Sequence, residues 1–353
     1  MSPLFFFASL GRLSIFDCVA GYASGHAHVE GIMKSAASGK LLRIIWILSA
    51  LLSVKGHVLS QELRTLEDSM RVIHSRVTGA STQPERLQAN EQFMNLMDEA
   101  LRIDRKMEYP FDSLQGISRL VAPDKRFRLL SWFVPHQDGT FSYYGLIQSL
   151  NRRAKRYEVH WLQDRSGEIP NPETALLSAD NWYGALYYEL IPVVERGRTY
   201  YTLLGWDGNN PSVRRKLIEV MTLHENGLPS FGYYLFRNKT ARERRVIFEY
   251  SSRASMTLRY DVQEYRELIR KKGRKTRSRP VVSDMIVFDR LVNIQPTLAP
   301  EAEFMVPETN VFDAYVFRNG RWTLYRDIDA RNPEPTDPST DRKPLEKGLL
   351  PPK

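Results

Sequence analysis

The chain has 353 residues and one cysteine, Cys18, so a disulfide framework and a Cys-ligated zinc site are both excluded. Its apolar content of 42% and charged content of 26% are ordinary for a globular protein, and a chain this long can bury roughly 70–75% of its unfolded surface without a covalent or metal staple. The formal net charge is +9, from 50 Lys and Arg against 41 Asp and Glu, a balance that fits anionic lipid, polyanionic glycan or nucleic acid.

Residues 33–60 read as an export signal. Lys34, Lys40 and Arg43 form a positive start, the 41–54 stretch is an apolar core broken only by Arg43, and Val58 and Ser60 are small residues before a cut at Gln61. The apolar core is short for a membrane span. Met33 opens this pattern, which makes residues 1–32 an upstream extension; they hold Cys18 and the His26/His28 pair, so neither is expected in the mature protein. No cysteine follows the apolar core, which argues against a lipoprotein, and export sets nucleic acid aside as a partner.

From Gln61 to about Asp104 the pattern is helical. Leu63, Leu66, Met70, Ile73 and Val77 recur at three- and four-residue steps, and after a break at 79–84 so do Leu87, Phe93, Leu96, Met97, Ala100 and Leu101. Pro84 sits at the second start, where its missing N–H costs nothing. These apolar stripes need a partner, either the body that follows or a separate protein.

Beyond residue 126 the period changes to two. Runs at 126–134, 141–150 and 157–163 precede the 182–261 stretch, in which strands end at Arg196-Gly197, Asp207-Gly208 and Asn226-Gly227 corners. Residues 182–191 are apolar on both faces and predict a central strand covered on both sides, with the N-terminal helices as one option for the cover; 231–236 reads as a further strand, and 253–261 alternates cleanly between two faces. The 211–223 segment fits a helix or a strand; the Asn226-Gly227 corner favours a turn to Val213 and then a strand. Strands at 285–292, 311–317 and 321–328 complete the set, the last two joined at an Asn319-Gly320 corner as the first two runs are at Asp138-Gly139. The expected fold is mainly β with N-terminal helices (α+β): an antiparallel sandwich or open barrel of sequential hairpins with a helical pair packed on it. The division is 1–60 leader, 61–120 helical segment, 121–330 β-domain and 331–353 disordered, Pro-rich tail.

Candidate sites are few. Trp206, Asp207, Asn209 and Asn210 cluster at 205–210, where the oxygens suit a hard cation but the spacing suits a tight turn better. Glu249 and Asp261, with Asp284 and Asp289, are strand carboxylates that would serve as an acid–base pair if they met across a cleft. The 266–279 run is strongly basic, and its Lys271, Lys272 and Arg274 suit phosphate or another anionic group. His74, His136, His160 and His224 show no zinc spacing, and no G-x-S-x-G elbow occurs. Neither a metal nor a cofactor is expected. The tyrosine doublets at 143–144, 187–188, 200–201 and 233–234 place one ring on each sheet face.

The runs YYTLLGWDGNN, FEYSSRASMTLRYD with MIVFDRL, and NVFDAYVFRNGRWTLYRDIDARN together resemble a group of exported β-rich proteins of Bacteroidetes over roughly residues 90–332. The resemblance implies an envelope location and a strand at 216–223; it implies no activity and no catalytic residue. The reading that follows is a non-enzymatic, periplasmic or outer-membrane-associated protein. It binds an envelope protein or an anionic envelope polymer, with peripheral membrane contact as a further option. The rival is a periplasmic hydrolase of glycan or a related polymer that uses strand-end carboxylates.

Overall fold

The computed structural model describes residues 36–237, 243–269, 277–297 and 301–330, with side chains from residue 58 onward except 268–278. The upstream extension, Lys271, Lys272, Arg274 and the tail beyond 330 lie outside the described residues. The chain divides into one unit of residues 1–62 and a second of 63–353. Among the described residues no helix is long and apolar enough to cross a membrane.

Helix α1 (Ala36–Gly79) runs through the proposed cleavage point, and α2 (Gln83–Ile103) follows after a short break. Thr82 caps α2: its hydroxyl accepts from Glu85 N–H while the Glu85 carboxylate accepts from Thr82 N–H, a reciprocal box that, with Pro84 in the first turn, fixes where the helix begins. In the second unit most of the expected apolar stripe residues are covered by the chain itself, while Leu87 stays 41% exposed. Leu63 and Met70 pack with Phe93, Met97 and Leu101 against Leu130, Trp132 and Leu146 of the first sheet.

That sheet holds β1 (Ser118–Val121), β2 (Phe127–Pro135), β3 (Phe141–Asn151) and β4 (Arg156–Gln163) in sequential antiparallel order. The second sheet is built from β5 (Leu177–Ser178), β6 (Leu186–Glu195), β7 (Arg198–Asp207), β8 (Val213–Leu223) and β9 (Pro229–Phe231). Its order is β5-β9-β8-β7-β6, and β11 (Arg245–Ser251) pairs with β8. The third runs β10-β15-β14-β13-β12, from β10 (Phe236–Arg237), β12 (Leu258–Ile269), β13 (Arg277–Asn293), β14 (Met305–Arg318) and β15 (Arg321–Ile328).

The three sheets and the helices stack into layers, because β-branched and aromatic residues occupy both faces of the inner strands. One core joins Phe127, Leu129 and Ile147 of the first sheet to Tyr201, Leu203 and Met221 of the second. Another joins Leu204, Ile218 and Val220 on the second sheet's other face to Ile286, Phe288 and Trp322 of the third. The Trp322 indole N–H donates to Thr202 Oγ1 at 2.9 Å across that interface. No sheet closes into a barrel among the described residues. The third sheet curls until Tyr265 of β12 meets Tyr325 of β15, ring centroids 4.4 Å apart, and encloses a small core of Met285, Val287, Ala314 and Val316.

Several expectations need correction. Strand β6 is the last in its sheet's order, not a central strand, and sheets cover its faces where helices were an option. The run at 231–236 is not one strand: Gly232, at φ +88°, turns the chain out of the second sheet, and β10 then joins the third, parallel to β15. This parallel pair and the return of β11 to β8 break the hairpin-to-hairpin order. The alternation at 253–261 holds as strand only from Leu258, after a turn at 252–254. The 213–223 segment is the expected strand. Because the second sheet is an inner layer, both rings of Tyr200–Tyr201 are buried.

His74 shows what this packing does to a titratable group. It is 5% exposed, edge-on to Phe93 at 5.1 Å, and its Nε2 has no hydrogen-bond partner among the described residues. Burial pushes it down to about 4, against an opposing hydrogen bond with the Gln115 backbone. The unfolded chain therefore binds a proton below the ordinary histidine range that the folded chain refuses. Stability falls as pH drops from about 6.5 and levels off near 4, a total loss of about 3 kcal/mol at 1.36 kcal/mol per unit. Denaturant unfolding should show about 2 kcal/mol of this between pH 6.5 and 5, and His74→Gln should remove that slope.

Candidate functional site

The turn at 205–210 is assembled from its own side chains. Trp206 is buried against Phe133 and Phe141, at 5.7 and 5.5 Å, and presents no binding surface. Asp207 Oδ1 accepts from Asn209 N–H at 2.7 Å, Asn209 takes the left-handed φ of +49° that Asn tolerates, and Asn210 Oδ1 accepts from the N–H groups of Ser212 and Val213, both at 2.9 Å. Two of the oxygens that would ligate a cation, Asp207 Oδ1 and Asn210 Oδ1, are engaged within the turn. Among the described residues no three His, Cys, Asp or Glu side chains form a metal-binding group.

Two predicted carboxylates do share a partner. Arg215 of β8 donates from Nε to Glu249 Oε1 at 2.7 Å and lies 3.5 Å from Asp207 Oδ2, which also accepts from Tyr183 Oη at 3.3 Å. Register explains this, since Arg215 stands opposite both Asp207 on β7 and Glu249 on β11. Burial raises the Asp207 carboxyl, and the Asn209 N–H and Arg215 charge hold it back. Asp261 is elsewhere, on β12 of the third sheet, with Arg259 Nε at 3.2 Å and Gln263 Nε2 at 3.0 Å from its Oδ2. Asp289 accepts from Thr257 N–H at 2.6 Å. Glu249 and Asp261 therefore belong to different sheets, each tied to an arginine, and form no acid–base pair.

The described cavity lies on the helix-facing side of the first sheet. It measures about 370 Å³ and is lined by Met94 of α2, Ser142 and Tyr144 of β3, Trp161 and Gln163 of β4, and Asp164 just beyond β4. Helix α2 covers Trp132 and Leu146 but stops short of the β3–β4 edge, which leaves Tyr144 and Trp161 only partly covered. Tyr144 stacks on Trp132, centroids 6.1 Å apart. Burial and the nearby Asp164 charge raise its phenol, so it stays protonated, and its hydroxyl makes no hydrogen bond to a described residue.

Asp164 is held rigidly at the rim. Its Oδ1 accepts from Ser166 N–H, Ser166 Oγ and Gly184 N–H at 3.0, 2.7 and 3.2 Å, and its Oδ2 from Tyr143 N–H at 3.1 Å. Any Cβ at position 184 would overlap this carboxylate, so glycine is required there. At the other end, Ser142 Oγ is 2.6 Å from His136 Nε2, and His136 Nδ1 is 2.6 Å from the Gln83 side-chain amide. His136 and Ser142 flank the Asp138-Gly139 corner, and hairpin closure brings them together; the same spacing across the Asn226-Gly227 corner joins His224 Nε2 and Ser230 Oγ at 2.7 Å, so the spacing alone does not mark the site.

A second polar group, deeper still, went unforeseen. Glu219 of β8 and Arg245 of β11 are both 0% exposed. Arg245 Nε donates to Glu219 Oε1 at 2.6 Å, Tyr187 Oη donates to the other carboxylate oxygen, and Trp182 Nε1 donates to Tyr187 Oη at 3.0 Å. Arg245 also reaches the Pro172 carbonyl. The network pins the 172–187 connection onto the second sheet.

No protein-family model matches the chain, and no curated protein or solved structure shows significant similarity to it.

Proposed function

We propose that the chain is an exported protein of the cell envelope that binds a saccharide unit in the cavity between α2 and the β3–β4 edge. The observation that carries this is the lining: two partly covered aromatic rings, Tyr144 and Trp161, beside the polar groups of Ser142, Gln163 and Asp164. A volume of about 370 Å³ falls within the range of small-molecule sites, and aromatic faces with a few fixed polar groups are what such sites use for affinity and orientation. A sugar ring offers C–H faces to the aromatics and hydroxyls to the polar rim. Export rests on the positive start and apolar core at residues 33–60.

The Asp164 carboxylate makes this cavity a poor host for an anionic polymer. The basic stretch holding Lys271, Lys272 and Arg274 is a separate route to such a partner. Hydrolysis by strand-end carboxylates is the weaker reading, because Glu249 and Asp261 are each engaged by an arginine on different sheets. Docking of the helices on a separate protein is also weaker, because most of their apolar stripe residues in the second unit are already covered.

Tryptophan fluorescence titration tests the proposal with a neutral N-acetylhexosamine trimer and a uronic-acid trimer as probes. The neutral trimer should bind, the anionic one should bind less tightly, and Trp161→Ala should weaken the neutral trimer at least tenfold, about 1.4 kcal/mol. Equal affinity of Trp161→Ala and the parent chain for the neutral trimer would remove this cavity as the site.

A further inference from the structure

We infer that Ser142, His136 and Gln83 form a nucleophile–base–orienter relay, and that the cavity beside them accepts an acyl ester carried on its saccharide ligand. The inference deepens the proposed function and rests on it for the identity of the ligand, though not for the chemistry. Its basis is geometric. A serine hydroxyl 2.6 Å from one imidazole nitrogen and a side-chain amide 2.6 Å from the other is the spacing that nucleophilic catalysis requires. Ser142 also lines the cavity, on the same face of β3 as Tyr144 two residues on.

The amide orientation decides the direction of the relay. With the Gln83 nitrogen on the ring, the Gln83 oxygen is buried without a donor, a cost of about 1–3 kcal/mol. With the amide turned, its oxygen accepts from His136 Nδ1–H, and His136 Nε2 is left free to accept from Ser142 Oγ–H. That tautomer is the one that activates a serine. The arrangement replaces the usual carboxylate orienter with a neutral amide, which holds the ring without lending it charge.

The step balances without a cofactor. Ser142 Oγ forms a bond to the ester carbonyl carbon as its proton moves to His136 Nε2. The carbon–alkoxide bond then breaks, and the sugar oxygen leaves with the proton from His136. Water, its proton taken by His136, adds to the acyl carbon; the bond from that carbon to Ser142 Oγ then breaks, His136 returns the proton to Oγ, and a carboxylic acid leaves. The Tyr144 hydroxyl, protonated and without a partner among the described residues, supplies a donor on the same strand face for the oxyanion.

The test uses the full chain, p-nitrophenyl acetate as substrate and a fluorophosphonate as label, with the modified residue located by mass spectrometry. The expected result is label on Ser142, hydrolysis that falls to background in Ser142→Ala, and a loss of about 10²–10⁴-fold in His136→Ala. Gln83→Ala should lose activity and Gln83→Glu should regain it, with a pH–rate profile displaced from the parent's; a purely structural Gln83 would leave the profile in place. Label on the wild-type chain needs no variant to fold. Absence of label from Ser142, or undiminished hydrolysis by Ser142→Ala, overturns the inference. A chain that binds the neutral trimer but takes no label at Ser142 also overturns it and leaves the cavity reading standing. Label at Ser142 without trimer binding supports the relay and removes the saccharide.

Discussion

Replacing Glu219 with alanine should destabilise the protein by about 3–5 kcal/mol, the range for breaking a fully buried ion pair from one side. The loss follows from what remains. Arg245 would keep a guanidinium at 0% exposure with the Pro172 carbonyl as its one hydrogen-bond acceptor, and Tyr187 Oη would lose the carboxylate to which it donates. Arg245→Ala should cost a similar amount by stranding the carboxylate. The paired replacement Glu219→Leu with Arg245→Met should be much less damaging than either single change, because it strands neither charge and restores apolar volume. Urea unfolding of the three variants at one pH measures all of this. Two single losses below about 1 kcal/mol would mean the pair is hydrated, since that is the worth of a surface pair.

Trp132→Ala should cost about 3–5 kcal/mol, as expected for removing a large aromatic from a core. Trp132 is 0% exposed, lies against Phe93 at 5.2 Å and Trp161 at 6.3 Å, and donates from Nε1 to Asn90 Oδ1 at 2.7 Å. It is thus the apolar anchor of α2 on the first sheet, beside the polar contact of Arg86 with the Pro135 carbonyl. Trp132→Phe keeps much of the volume but orphans the Asn90 oxygen, so its cost should be smaller, about 1–3 kcal/mol. Hydrogen exchange locates the damage. Amides of 83–103 should lose protection in Trp132→Ala before those of β7 and β8, which pack in cores that Trp132 does not enter. Equal loss throughout would mean that the helices and the inner sheet unfold as one unit.

The sequence made local elements legible because their signals are local. Apolar spacing marked both helices, and Gly-containing corners at 138–139, 196–197, 226–227 and 319–320 marked hairpins that the structure contains. The layering was not legible. Runs apolar on both faces indicate burial on both sides without naming the cover, and for β6 the cover is two other sheets. The return of β11 to β8 and the parallel seat of β10 are pairings between strands distant in sequence, and Gly232 alone hints at the second.

The cavity was hidden for a related reason. Met94, Ser142, Trp161 and Asp164 come from three elements and a loop, and nothing in their spacing announces that they meet. Asp207 and Glu249 were singled out separately, one in a turn cluster and the other as a strand carboxylate; what unites them is Arg215, in a basic run, Arg214–Lys216, that reads as surface. Glu219 was the strongest missed signal: an acid in the middle of an inner-strand run, KLIEVMTL, demands a buried partner.

The central claim is that the cavity at the β3–β4 edge is the binding site, and hydrogen–deuterium exchange of the full chain with and without the neutral N-acetylhexosamine trimer tests it most directly. Binding there predicts slower exchange at 142–145 and 161–164, with β12–β15 unchanged. Unchanged exchange at those residues, or protection confined to the 205–215 turn or the third sheet, would contradict it.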